Sequence, residues 1–444
     1  MTREPAERDE ARVARSLEAG GRSTDALLGW WEERRRAHPF RVEPIPFNGL
    51  KGWSFDGDTG ALRHETGRFF TVEGVRADDE DGRSWSQPII DQPEVGILGI
   101  LVKEFGGVLH CLIQAKMEPG NSNLLQLSPT VQATRSNYTR VHRGADVRYL
   151  EHFTGPGRGR VLVDVLQSEH GSWFLGKRNR NMVVEAVGDV PDHPDFRWLT
   201  LGRIGELLRL GRFVNMDART VLSCLPFAGA GPARHSGLEI RSWLCDLRAR
   251  ATLRRSRVPL AALADWTVGP GRIGRPDGRF FTVIAVAVEA GNREVTGWTQ
   301  PIFAPRAGGI VAFLLKRLRG VPHVLARARA EIGFRDVIEL GPTVQCVPAN
   351  RADDPPQFLA DVLDADPARV LYDAVLSEEG GRFYHGDARY RVVEVPGDFP
   401  EDVPGDFRWI ALHQFTPMLQ HGHYVNVQAR SLIACMNLVP GVRG

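Results

Sequence analysis

The chain has 444 residues, with a hydrophobic fraction of 42%, a charged fraction of 25% and a formal net charge of +2. Such values fit a globular protein of two or three domains and exclude an overall basic field that would draw it to nucleic acid or anionic lipid. No apolar stretch approaches the roughly 18 residues that span a membrane. The N-terminus lacks the apolar core of a secretory signal, so a cytoplasmic protein is expected.

In chain order, residues 1–24 are charged and glycine-containing and read as a disordered tail. Residues 25–37 open on an Asp cap and have the spacing of an amphipathic helix. A proline-rich extended segment leads to Trp53. Residues 96–105 and 108–115, split by Gly106-Gly107, read as a β-hairpin. Residues 161–166 and the run from Phe174 make a second strand pair around Glu169-His170-Gly171, and 183–187 a further strand. Residues 199–210 read as a helix, and 219–225 as a short helix or strand. A linker rich in Gly and Ala follows at 228–236.

Then the chain repeats itself. Gly67-Arg68-Phe69-Phe70-Thr71-Val72 returns as Gly278-Arg279-Phe280-Phe281-Thr282-Val283, and Pro129-Thr130-Val131-Gln132 as Pro342-Thr343-Val344-Gln345. Trp30, Trp53, Asn215 and Arg219 match Trp243, Trp266, Asn426 and Arg430. A period this long gives each copy enough chain for a core, so the expected domains are 25–227 and 237–440. Each copy reads as α+β with mostly antiparallel strands. Cys224 and Cys435 are equivalent and read as buried core residues.

The polar motifs point to a ligand rather than a metal. There is no H-E-x-x-H or C-x-x-C, and no cluster of Glu residues of the kind that holds magnesium. Gly171 to Lys177 nearly spells a P-loop, but Arg178 stands where a Ser or Thr belongs. The densest polar run, 126–140, interleaves Gln132, Thr134, Arg135, Ser136, Asn137 and Tyr138 with few turn formers. These groups suit a diphosphate, a sugar and a planar base edge. The turns 166–174 and 376–383 keep Ser168/Ser377 and Glu169/Glu378, which fit either a hairpin or a carboxylate delivered beside a ligand. Lys177, Arg178, Arg180, Arg382, Arg389 and Tyr390 are candidates to bind that ligand, and His385 to move a proton. His110 and His323 read as packed strand residues.

Residues 96–103, 114–121, 126–140, 177–181 and 423–430 together resemble the NDP-hexose 2,3-dehydratases of deoxysugar and antibiotic biosynthesis, across nearly the whole chain. The resemblance implies action on dTDP-4-keto-6-deoxy-D-glucose. Water is lost across carbons 2 and 3, giving dTDP-3,4-diketo-2,6-dideoxy-D-glucose, which a separate nicotinamide-dependent 3-ketoreductase captures. It also implies a duplicated Nudix-hydrolase-like fold, a homodimer, and no metal or organic cofactor. Acid–base candidates are Glu378, Glu379, Tyr384 and His385. Ser168, Ser377, Asn426 and Arg430 join the residues above as substrate-binding candidates, with Trp53 and Trp266 to stack on thymine. The second copy departs from the motif: Arg329 replaces Lys116, and Cys346 to Arg351 replace Ala133 to Tyr138. Either copy can therefore hold the reacting pocket. A nucleotide-sugar-binding protein without turnover is the alternative; a Nudix-type diphosphatase would need the missing Glu cluster.

Overall fold

The structure is a computed structural model describing residues 3–20, 24–79, 82–134, 147–155, 158–291 and 295–442. Each half builds one mixed seven-stranded sheet and contributes most of one smaller five-stranded sheet. The Gly96–Phe105 and Val108–Met117 strands form the expected hairpin. Gly106 and Gly107 both have positive φ, as the tightest hairpin turns require. The second copy makes the same turn with Arg319 and Gly320. Among the strands of the described residues, pairing is antiparallel except where strand Arg178–Glu185 runs parallel to Gly96–Phe105, and Asp387–Glu394 parallel to Gly309–Leu318; isolated parallel bridges such as Ile90 to Phe174 add to these. Residues 183–187 make no separate strand, because most of them complete Arg178–Glu185.

The two copies exchange structure. Strand Phe40–Ile45 of the first copy pairs with Phe281–Ala290 of the second, and Arg254–Val258 of the second pairs with Thr71–Asp78 of the first. Trp53 Nε1 donates to the Thr299 carbonyl at 3.0 Å, and Trp266 Nε1 to the Ser86 carbonyl at 2.8 Å. The largest core cluster draws on both halves, joining Ile100 and Ile113 to Phe313 and Ile410. The two copies thus fold through one another. The linker ends at Ser236, which forms a capping box with Glu239 at the start of helix Gly237–Arg250.

The turns after Val108–Met117 and Val321–Ala330 also cross over. A Cβ at Gly120 would lie 1.9 Å from the Phe383 carbonyl oxygen, and one at Gly333 would lie 1.8 Å from that of Phe174. Only glycine permits this approach. At the centre, helices Met216–Ser223 and Val427–Leu438 pack together, almost wholly buried. Asn215 and Asn426 cap them, accepting from Ala218 N at 2.8 Å and Ala429 N at 2.9 Å. Cys224, at the end of the first, and Cys435, within the second, are both buried.

The N-terminal reading needs correction: Arg3–Glu18 is a helix docked on the first seven-stranded sheet. Val13 is buried in the main core. Ser16 Oγ donates to the Leu109 carbonyl at 2.6 Å and accepts from Leu201 N at 2.9 Å. Arg12 is gripped by Asp9, Glu104 and Glu185. Few apolar residues suffice because ion pairs and side-chain–backbone bonds do the rest, which composition does not reveal. Val13→Ala should therefore lower stability by about 1–2 kcal/mol, read as a lower urea midpoint. An unchanged midpoint would show the helix undocked in solution.

Candidate active site

The crossing loops gather charged side chains from both halves at one junction. The Val108–Met117 strand carries Lys116, and Glu118 opens the turn beyond it. Strand Val131–Ala133 sets the Gln132 amide 2.7 Å from Glu118 Oε1. Gln132 Oε1 accepts from Asn215 Nδ2 at 3.2 Å, so the helix cap holds the row in line. Lys116 Nζ donates to the Gln132 carbonyl at 3.0 Å. Asp217 lies buried in the first turn of the capped helix. The first-half loop adds Glu169, held by Asn179 Nδ2 at 2.7 Å, and Lys177, which donates to the Glu94 carbonyl. The second-half loop adds Glu379 and Arg382, whose guanidinium sits 4.2 Å from the centre of the Phe70 ring.

Glu118, Glu169, Asp217 and Glu379 each have a buried oxygen without a hydrogen-bond partner. Crowded carboxylates cannot all ionise. Burial, then the charges of Glu118 and Glu169, push Glu379 up to about 7 against the pull of Arg382. Burial and the charges of Glu169, Glu379 and Glu118 push Asp217 well above its ordinary range. Burial draws Lys177 down to about 8, although Glu169 opposes this. Such tuning leaves the Glu379 carboxyl able to give a proton near neutral pH.

Glu378, next to Glu379, has the opposite surroundings. His170 Nε2 lies 2.8 Å from its Oε2, and the Tyr390 hydroxyl donates to its Oε1 at 2.7 Å. Burial works to raise Glu378, but His170, Arg219 and Tyr390 outweigh it and hold it below the usual range. Burial and the Glu378 charge push Tyr390 far up.

The equivalent place in the other half keeps the frame and changes the chemistry. Glu331 accepts from Gln345 at 3.0 Å and from Arg329 at 2.7 Å, and Asn426 Nδ2 donates to Gln345 Oε1 at 2.9 Å. In the duplicated frame, Gln428 stands for Asp217, His170 for Glu379 and Trp173 for Arg382. Phe334, fully buried, presses so close to Gly171 that a Cβ there would lie 2.5 Å from the ring.

Of the residues singled out in the sequence, Glu379, Lys177 and Arg382 meet at the first junction, with Glu378 and Tyr390 behind. Ser377 Oγ donates to Gln126 Oε1 at 2.7 Å, and Ser168 Oγ to Glu339 Oε2 at 2.6 Å. Arg178 lies opposite Ser168 in the strand register. Thr134 follows the strand that carries Gln132, whereas Arg135, Ser136, Asn137 and Tyr138 lie outside the described residues. Others sit apart. Arg180 and Arg389 reach Asp164 and Asp373 on the neighbouring edge strands, because strand alternation turns them to the outer face. The Trp53 and Trp266 indole N–H groups are spent on the opposite half. Tyr384 stacks on the exposed His385 at 4.0 Å and packs beside Val286, Val288 and Ile302. Arg430 is fully buried at the helix pair, where it donates to the Val425 and Ser168 carbonyls at 2.6 and 2.5 Å.

Sequence reasoning passed over Lys116, Glu118, His170 and Asp217 as site residues, and offered Glu169 as a carboxylate beside a ligand or as part of a hairpin turn. The signal for Asp217 was its replacement by Gln428 in an otherwise matching stretch; the others lay in motifs already quoted. Among the described residues no three His, Cys, Asp or Glu side chains are placed to hold a metal ion, and no helix is long and apolar enough to cross a membrane.

A sequence model of the NDP-hexose 2,3-dehydratase family matches residues 24–225 and 238–436, one match in each copy. The dTDP-4-dehydro-6-deoxy-alpha-D-glucopyranose 2,3-dehydratase of Amycolatopsis orientalis is 52% identical over 426 residues, covering 93% of this chain and 90% of the relative. The protein of that name from Saccharopolyspora spinosa is 52% identical over 437 residues, covering 92% and 90%. That from Streptomyces violaceoruber is 49% identical over 433 residues, covering 94% and 98%. With both copies matched and relatives aligned over nearly its full length, the chain belongs to the NDP-hexose 2,3-dehydratase family.

Proposed function

We propose that the protein dehydrates dTDP-4-keto-6-deoxy-D-glucose across carbons 2 and 3, and that the reaction takes place at the Glu118–Glu379 junction. The observation that carries the location is the four carboxylates with unpartnered buried oxygens beside Lys116, Lys177 and Arg382. The opposite place differs in its chemistry: Arg329 engages Glu331, and Phe334, His170 and Gln428 stand where Asn121, Glu379 and Asp217 stand here.

The ketone at carbon 4 acidifies the proton on carbon 3. Glu118, aligned by Gln132 and Asn215, takes that proton. Lys116, Lys177 and Arg382 supply positive charge for the enolate and the diphosphate. Glu379, protonated up to about pH 7, gives its proton to the departing carbon 2 hydroxyl, which leaves as water. The resulting enol then tautomerises, taking a proton at carbon 2 and losing one from the carbon 3 hydroxyl. Glu378 steadies the loop rather than reacting, because both its oxygens are engaged. The segment from Thr134 to Tyr138 binds the nucleotide sugar, a reading supported by its continuity with the Gln132 strand.

The Nudix-like reading of each half is supported by a mixed sheet with a single parallel pair beside a C-terminal helix. A homodimer in the cytoplasm and a downstream nicotinamide-dependent 3-ketoreductase belong to the same proposal. The vicinal diketone product is reactive and calls for prompt reduction.

Incubation with dTDP-4-keto-6-deoxy-D-glucose, borohydride trapping and mass spectrometry should give a sugar lighter by one water. Unchanged substrate with tight dTDP binding would return the binding-protein alternative. Glu379→Gln and Glu118→Gln should each lower kcat by about 10²–10⁴-fold, measured by product formation; a loss under tenfold would remove that residue from the chemistry. The sign of the pH dependence follows from the raised carboxyl. Glu379 is the donor only while protonated, so kcat/KM should fall as pH rises through about 7. A rate flat from pH 6 to about 9 would exclude it as the acid.

A further inference from the structure

Arg219 was conspicuous in the sequence only as the partner of Arg430 in the repeat. In the structure it is fully buried between the two central helices. Nη1 donates to the Val214 carbonyl at 2.6 Å, Nη2 to the Ser377 carbonyl at 2.6 Å, and Nε to Ser431 Oγ at 3.2 Å. Its guanidinium lies 5.7 Å from the centre of the Tyr390 ring. Val214 immediately precedes Asn215, the cap that holds Gln132 and, through it, Glu118. Ser377 immediately precedes Glu378 and Glu379. One side chain therefore ties the two walls of the junction, which come from opposite halves.

Burying a guanidinium is costly, and well-packed apolar residues often fill such a space with no loss of stability. What an apolar side chain cannot do is hold two carbonyls at a set separation. The planar fork of arginine does this and lysine, a point charge on a flexible stem, does not. We infer that Arg219 is a positioning residue that fixes the separation of Glu118 and Glu379 across the junction. The inference rests on the proposal that the reaction occurs there.

The charged groups facing Glu379 are Glu118, Asp217, Glu169, Lys177 and its own neighbour Arg382. Arg219 bonds to the carbonyl at the root of that loop, and Arg219→Lys keeps the charge, so the substitution reaches Glu379 through geometry. Widening the gap from Glu118 relieves the repulsion that keeps Glu379 protonated.

The test compares Arg219→Lys with the parent full-length chain in kcat, KM and pH profile. Val13→Ala, far from the junction, serves as a stability control. Arg219→Lys should lose roughly 10²-fold in kcat, with KM changed only a few-fold and the alkaline decline moved to lower pH. Val13→Ala should keep the parent kcat and profile. A loss in Arg219→Lys no greater than in Val13→Ala, with the alkaline decline unmoved, would overturn the inference. Should Arg219→Lys fail to fold, Ser431→Ala, which removes the Nε acceptor, takes its place. The same decline must then move, with a smaller fall in kcat, or the inference fails. Glu379→Gln separates the two levels. If it is inactive while the Arg219 or Ser431 variant keeps the parent profile, positioning alone is wrong. If Glu379→Gln is fully active, the junction reading and the inference fall together.

Discussion

The central helix pair, with one arginine reaching across from each helix, is the constraint on which the rest of the structure depends. Arg219 holds the Ser377 carbonyl of the second half, and Arg430 holds the Ser168 carbonyl of the first. Both guanidiniums are fully buried, so their donors must be satisfied or the packing is lost. The partners that satisfy them lie at the roots of the two loops bearing Glu169–His170 and Glu378–Glu379. Helix packing and loop placement are therefore one event. The cross-over turns at Gly120 and Gly333 make the same demand, because each fits against the opposite half's carbonyls only if those loops are already in position.

Because strands, turns and loops are all exchanged, the candidate site belongs to neither copy. Its floor is the Lys116–Gln132–Asn215 row of the first half, and its opposite wall is the Glu379–Arg382 loop of the second. Duplication left two such places, and divergence at a few positions made them chemically unlike. With Asp217 and Glu379 present, one place concentrates carboxyls that cannot all ionise. With Gln428 and His170 instead, the other sets His170 Nε2 2.8 Å from Glu378 Oε2, with the imidazole stacked on Trp173. The shared frame of Asn cap, Gln and Glu survives in both, which fits a structural role for the frame and a chemical role for the substituted positions.

Local structure was legible where a local physical rule governs it. The paired glycines marked the first hairpin, the Asp at residue 25 marked a helix start, and the apolar runs marked the strands. The buried thiols of Cys224 and Cys435 followed from their matching apolar surroundings. The N-terminal helix was not legible, since a buried Arg12 among three carboxylates looks like a solvated charge run until its partners at 104 and 185 are in place. Arg180 and Arg389 looked like ligand donors because composition is blind to which face of a strand a residue occupies. Trp53 and Trp266 suggested a stacking platform, yet their indole nitrogens hold the two halves together.

The sequence by itself determined the duplication, the α+β class, the family and the enzymatic reading, because these depend on residue order and on spacing along the chain. It also pointed to the 377–385 turn as a source of acid–base groups. Only the tertiary structure decided that Glu379 rather than Glu378 faces the junction, that Asp217 and Glu118 join it, and that Arg219 ties the walls together. Two adjacent glutamates differ only in what surrounds them. Those surroundings, His170, Tyr390, Glu118 and Glu169, are supplied from positions 12 to 261 residues away in the chain.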